Sequence, residues 1–220
     1  MNDDLVRWSW VVDHADDIVA KLVEHLQLTA IAVVVGLLIS FPLAVYAYRH
    51  KRAYAPITVV TGILYTIPSL ALFAFLLPYT GLTVLTAEIG LVSYTLLILI
   101  RNIVAGLNEV PADAREAAIG MGYSRSQLLW RVELPLALPV ILAGIRLATV
   151  TTIGLVTVAA LIGRGGLGYF ILLGFDRSFT TASIVGAVLS LVVAVTVDAA
   201  LVGLERVLTP WGHKRSPRSA

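Results

Sequence analysis

Residues 163 to 168 read GRGGLG, which satisfies the G-x-G-x-x-G spacing of a dinucleotide site. That chemistry needs a buried strand before the glycines and a helix N-terminus behind them to hold a pyrophosphate. It also needs an acid about 20 residues on to grip a ribose. Ahead of Gly163 stands LATVTTIGLVTVAALI, and the next acids, Asp176 and Asp198, lie eight and thirty residues past Gly168. Neither spacing fits. Gly163, Gly165, Gly166 and Gly168 are expected instead to let an outer loop re-enter tightly against a neighbouring helix.

Other reactive constellations are missing from the sequence. The four histidines, His14, His25, His50 and His213, fall in flanking or loop segments without H-E-x-x-H spacing, so no metal is expected. No G-x-S-x-G serine stands in the chain, and no G-x-x-x-x-G-K-[ST] loop, so neither hydrolysis nor ATP binding by this chain is expected. A non-catalytic role without cofactor follows, and any ATP chemistry belongs to a partner. Arg101, Arg146 and Asp198 lie inside apolar runs. A charge inside a bilayer costs about 2.5–3.5 kcal/mol on insertion scales and faces protein or a cavity. Asp198 is too short to snorkel, so a pair with Arg146 is predicted, with Arg101 the alternative partner. A proton relay through Asp198 would make the protein a secondary transporter, but a single carboxylate supplies little for one.

The elements that must hold these residues are membrane helices. Of the 220 residues 58% are hydrophobic and 14% charged, against about 25% charged in a soluble domain. Crossing roughly 30 Å of hydrocarbon takes about 20 helical residues. Five runs qualify: Leu26 to Tyr48, Ile57 to Leu77 before a turn at PYTG, Ala87 to Leu107, Leu136 to Ile162 and Ala182 to Leu204. The predicted class is all-α and integral to a membrane, with five spans. Lysine and arginine collect in RHKR after span one, at Arg115, Arg125 and Arg131 after span three, and in the tail. The positive-inside rule then puts the N-terminus outside and the C-terminus inside. Residues 1–25 read as an outer amphipathic segment with Trp8, Trp10, Val11, Val12, Ile18 and Val19 on its membrane side. Residues 26–208 form the membrane domain, and residues 209–220 a basic cytoplasmic tail. The acidic N-terminus does not resemble a signal peptide. The small formal charge of +2 sits between apolar segments and does not suggest nucleic acid. Without cysteine no disulfide is possible. No internal repeat is visible, and an odd count of five spans argues against a fused inverted duplication, so a partner chain is expected.

The polar stretch 109–135 interrupts the apolar pattern. Pro111 suits a first helical turn, Ala112 to Met121 favours helix, and Gly122 suits a left-handed cap. Ser124 and Gln127 form an S-x-x-Q capping box, opening a second helix that Pro135 is expected to close. The small residues Ala114, Ala117, Ala118 and Gly122 suggest a face that another protein's backbone could approach, a docking helix on the cytoplasmic side.

The loop carries a resemblance. Glu116-Ala117-Ala118, Gly122 six positions after the glutamate, and Val132-Glu133-Leu134-Pro135 after nine more residues match the E-A-A-x-x-x-G-x9-I-x-L-P loop of ABC importer permeases, with Val132 for isoleucine. TIPSLALFAFLLP (66–78), RNIVAGL (101–107), VELPLALPVILAGIR (132–146) and IGRGGLG (162–168) are similar to permeases for glycine betaine, choline and related osmoprotectants, from about residue 22 onward. Methionine-type permeases share the five spans and glycine-rich loop but do not usually carry T-I-P-S-L-A. The resemblance implies a bacterial cell-membrane permease, paired with a second permease chain, two ATPase subunits and an extracytoplasmic solute-binding protein. It implies an ATPase-coupling set of Glu116, Ala117, Ala118, Gly122, Leu134 and Pro135. Arg164 stands where such relatives carry a small residue. Tyr65, Pro68, Ser69, Phe73 and Tyr94 are pathway candidates, because aromatic faces attract quaternary ammonium cations and Pro42, Pro68 and Pro139 can kink their helices.

Overall fold

In the computed structural model, which describes residues 6–211, every regular element is helical. The order is α1 (Trp8–Asp13), α2 (Ala15–Arg49), α3 (Lys51–Thr66), α4 (Ser69–Thr80), α5 (Val84–Asn108), α6 (Ala112–Gly120), α7 (Arg125–Leu128), α8 (Leu134–Val158), α9 (Gly168–Asp176) and α10 (Thr180–Leu208). A wide turn, Leu129–Glu133, joins α7 to α8, and a tight turn, Ala159–Ile162, closes α8. Four helical stretches are long and apolar enough to cross a membrane, or five if a bent pair counts as one span.

Helix α2 has 35 residues, roughly 52 Å at 1.5 Å per residue, well beyond the hydrocarbon thickness. The segment expected as a separate outer piece therefore has no boundary at residue 25, since residues 15–25 are the first turns of the same helix. Trp10 and Ile18 also turn away from their expected membrane side. They pack toward a core cluster of Ile153, Leu167, Phe170 and Val193, while Trp8, Val12 and Val19 stay exposed. Nothing in 15–49 breaks the helix, because Pro42 sits within it without ending it.

The expected second span is not one continuous helix. Helices α3 and α4 meet at 93°, and the break falls at Pro68. Proline disfavours the helical conformation in the residue before it, and Ile67 is extended (φ −64°, ψ 128°). The freed backbone is recaptured by side chains. Tyr94 donates its hydroxyl to the Ile67 carbonyl, and Thr66 donates to Ile63 at 2.8 Å. The turn expected at PYTG shifts to Gly81, because α4 carries Pro78 inside it and runs to Thr80.

Helix α5 is the centre of the bundle, with α2 running parallel along one side and α8 antiparallel along another. Gly36 on α2 lets the first pair approach closely, since a Cβ there would lie 1.9 Å from the Thr95 hydroxyl oxygen. Small residues at such crossings are how membrane helices pack. One core cluster, including Ala47, Leu99, Ile103, Leu129 and Ala137, sits at the end carrying α6 and α7. A second, including Leu28, Phe73, Leu91 and Ile162, sits at the end carrying the glycine loop. Glu88 lies on α5 between Ala87 and Leu91 of that second cluster, and neither carboxylate oxygen has a hydrogen-bond partner among the described residues.

Candidate functional site

The 109–135 loop is built as the spacing predicts at its turn and departs from it on either side. Gly122 is left-handed, φ +80°, with nothing within 4 Å of where a Cβ would stand, so its role is conformational. The Ser124 hydroxyl accepts from the Gln127 N–H at 3.3 Å, and the Gln127 side-chain carbonyl accepts from the Ser124 N–H at 2.8 Å, completing the capping box. Pro135 does not close the second helix. It is the second residue of α8, directly after the wide turn Leu129–Glu133. With the wide turn, Arg125–Ile162 therefore forms 38 residues of continuous helix. Leu134 begins α8 and is half-buried.

The small face expected from Ala114, Ala117, Ala118 and Gly122 divides in two. Ala118 is only 1% exposed and packs inward. Glu116, Ala117, Ile119, Gly120 and Met121 face outward. A nine-residue helix that buries one alanine has little core of its own, and polar contacts anchor α6. Arg115 donates through Nε to Glu133 Oε1 at 3.2 Å and through a terminal nitrogen to the Leu107 carbonyl at 2.5 Å. Tyr48 donates to the same Glu133 oxygen at 2.6 Å, and the Arg115 guanidinium lies 5.9 Å from the Tyr48 ring centre. Glu133 is buried. One arginine thus ties α6 to the end of α5, the start of α8 and the end of α2. In the sequence Tyr48 carries no signal of this role, and Arg115 counts only as loop charge. The available signal was Glu133, an acid in a helix headed into an apolar run, which needs a partner when buried.

Arg146 meets Asp198 through two parallel bonds, Nε to one carboxylate oxygen at 3.0 Å and a terminal nitrogen to the other at 3.1 Å. Its remaining terminal nitrogen donates to Glu205 at 3.3 Å. The planar guanidinium suits such a fork. Glu205 went unnoticed in the sequence because it stands near the end of α10, yet seven residues after Asp198 it returns to the same helix face. Arg101 is exposed on α5 and joins neither acid.

The glycine loop folds back on the bundle. A Cβ at Gly165 would lie 2.1 Å from the Ala160 nitrogen, and one at Gly168 2.3 Å from the Thr157 carbonyl oxygen. Gly166 has φ +49°, and its Cβ would lie 2.6 Å from the His25 Cα. Gly163 is left-handed at φ +77°, and Arg164 is exposed. His25 is not a solvated flanking residue, as expected, but fully buried. Its Nδ1 accepts from the Leu167 N–H at 3.3 Å. Since an N–H only donates, Nε2 carries the proton and donates to the Ile153 carbonyl at 3.1 Å. One imidazole therefore ties α2, α8 and the loop.

The pathway candidates separate by burial. Phe73 is fully buried, with its ring against Gly90, and Tyr94 is 5% exposed with its hydroxyl occupied. Both are engaged in internal packing. Tyr65, whose ring centre lies 6.0 Å from that of Tyr94, and Pro68 are exposed, and Ser69 is half-buried at the α3–α4 bend.

Known proteins resemble this chain in sequence and in fold. The family described as "Binding-protein-dependent transport system inner membrane component" matches residues 32–209. The chain is 38% identical over 199 residues to the choline transport system permease protein OpuBB of Bacillus subtilis, covering 90% of this chain and 92% of that one. It is 39% identical over 208 residues to the osmoprotectant import permease protein OsmW of Salmonella typhimurium, covering 92% and 97%. The fold matches the inward-facing MetNI methionine ABC transporter with a TM-score of 0.77 at 23% identity, covering 87% of this chain and 96% of that one. An amino acid ABC transporter crystallised with histidines matches at 0.70 and 21% identity, covering 91% and 98%. The helical order, the fold shared with ABC transporter membrane chains and the match along most of the sequence agree, and the chain belongs to the binding-protein-dependent transport system inner membrane components.

Proposed function

We propose that this chain is the permease subunit of a bacterial ATP-driven importer for osmoprotectants of the quaternary ammonium class, such as choline and glycine betaine. The observation that carries the substrate class is the 38–39% identity, over about nine-tenths of both chains, to permeases named for choline and osmoprotectant transport. In this reading two permease chains enclose the pathway, two ATPases sit below and a solute-binding protein docks above. The N-terminus is outside, the 109–135 loop and C-terminus are inside, and the glycine loop lies on the outer face.

The coupling step follows from how α6 is held. Glu116, Ala117, Ile119 and Met121 form the outward face that meets the ATPase. Arg115 connects that helix to the ends of α2, α5 and α8, so a push on α6 is delivered to three membrane helices together. The continuous 125–162 helix carries it toward the glycine loop. Closure of the ATPases on ATP then opens the pathway outward, the alternating-access cycle.

The test is uptake of radiolabelled choline, glycine betaine and methionine by cells carrying the whole system. Choline or betaine uptake that stops when the ATPase is inactivated is expected. Methionine uptake alone would move the protein to the methionine-type permeases. Uptake driven by a proton gradient without the ATPase would make it a secondary transporter.

A further inference from the structure

Helices α8 and α10 leave a groove between them of about 630 Å³, and charged groups line part of it. Small residues, Ala143, Ala194 and Ala199, hold the groove open beside Arg146 and Asp198. The Arg146 and Asp198 side chains are 29% and 37% exposed into it, and Glu205, 20% exposed, shares the guanidinium. We propose that this groove is a water-lined wall of the translocation pathway, and that the carboxylate left in excess by one guanidinium between two acids favours cationic substrate. The inference rests on the importer reading above for the identity of the cargo.

Depth is the first argument. Asp198 stands ten residues before the end of α10, roughly 15 Å along the helix, and Arg146 twelve residues into α8, roughly 18 Å. Charges at that depth are not left facing lipid tails, and those that persist in spans face a cavity or protein. Among the described residues none closes the groove over them. Only 11% of the most apolar stretch of α10 is buried, and Leu191 and Val195, on the same groove, are 64% and 61% exposed.

Charge balance is the second argument. Two carboxylates sharing one guanidinium leave one negative unit. Arg206 does not cancel it, because it is exposed one position on and turned about 100° from Glu205 around the helix. The excess lies toward the end of α10, so a cation passing along the groove is attracted there, while the paired charges deeper are neutral together. A quaternary ammonium head group offers no N–H to compete with Arg146 for the carboxylates, and it can pass without dismantling the pair.

The chain has no cysteine, so Leu147→Cys and Val195→Cys each create the sole thiol of the permease. In the reconstituted complex, with and without ATP, these thiols are challenged with a trimethylammonium thiosulfonate and with its sulfonate counterpart. With each rate taken relative to the same reagent's rate with a free thiol in solution, the cationic reagent is expected to be faster by up to about tenfold at low salt, the ratio for one unit charge about 6 Å away in water. Glu205→Gln should bring the two rates together, and choline should slow both. If neither thiol reacts in any nucleotide state, the groove faces lipid or a second permease chain and the proposal is overturned. Equal rates for the two reagents in the unmutated background overturn it too. The outcome is separable from the importer reading, since uptake of choline or betaine by the wild-type complex can stand while either of these results removes the groove from the pathway.

Discussion

The Tyr48 phenol donates to Glu133 at 2.6 Å across 85 positions of sequence, and Arg115 binds the same carboxylate oxygen from the other side. The end of α2, the short helix α6 and the start of α8 are thereby held at one atom. Such a shared acceptor makes the three side chains interdependent, and mutations at them will not add.

Tyr48→Phe removes one donor and leaves Glu133 with Arg115, a loss of about 1 kcal/mol. Arg115→Ala withdraws from the buried Glu133 carboxylate the one cation that pairs with it among the described residues and should cost more, on the order of 3 kcal/mol. In thermal unfolding of the purified permease, Arg115→Ala is expected to lower the midpoint further than Tyr48→Phe. Glu133→Gln combined with Arg115→Ala should recover part of the loss. An unchanged midpoint in Arg115→Ala would show that the contact holds nothing in place.

Two neighbouring alanines should behave oppositely. Ala117 is exposed, so Ala117→Trp is expected to shift stability by less than about 0.5 kcal/mol. It should nevertheless weaken ATPase retention in pull-down and abolish transport. Ala118 is buried, and Ala118→Trp should overpack the loop at a cost of about 1–3 kcal/mol. ATPase retained at full strength by Ala117→Trp would remove α6 from the docking surface.

Gly122→Val forces a β-branched residue to φ +80° in open space, so backbone strain is the whole effect, about 1–2 kcal/mol. Insertion into the membrane should be normal, with transport and substrate-stimulated ATP hydrolysis lost together. Gly122→Asn, which tolerates the left-handed region, should restore most of both. Equal loss in Val and Asn variants would mean that the glycine is needed for a reason other than its φ.

Breaking the Arg146 cluster depends on which member goes. Asp198→Ala leaves Arg146 with Glu205, while Arg146→Ala leaves two carboxylates facing each other. Because these groups are about a third exposed, the losses should fall below the roughly 3–5 kcal/mol of a fully buried pair. Folded yield after detergent extraction is expected to fall in the order wild type, Asp198→Ala, Arg146→Ala. The double variant Asp198→Ala/Arg146→Ala should lie above Arg146→Ala alone.

Glu88 is the opposite case, a buried acid in an apolar cluster with no hydrogen-bond partner among the described residues. Replacing an unsatisfied polar group by an isostere or a hydrophobe of similar size can be neutral or stabilising. Glu88→Gln and Glu88→Met should therefore keep or raise the thermal midpoint. A fall of several degrees in both would reveal a partner that the isolated chain does not contain.

The sequence by itself determined the class of the fold, because apolar runs near 20 residues have no stable place except in a bilayer or a core of their own making. It also determined local backbone events that depend on neighbours within four residues: the left-handed Gly122 and the Ser124–Gln127 box. Tertiary structure decided what depends on which side of a helix faces another helix. Periodicity in a membrane chain is blurred, since lipid-facing and core-facing residues are both apolar. Ala118 and Phe73 turned inward, and His25 became a buried tie between α2 and the glycine loop. Arg146 gained Glu205 as well as Asp198. The 93° turn at Pro68 was likewise open in the sequence, where a proline in a membrane helix is as compatible with a gentle kink as with a sharp break. Side-chain capture of the freed carbonyls, by Tyr94 from a helix remote in sequence, is what fixed the sharper bend.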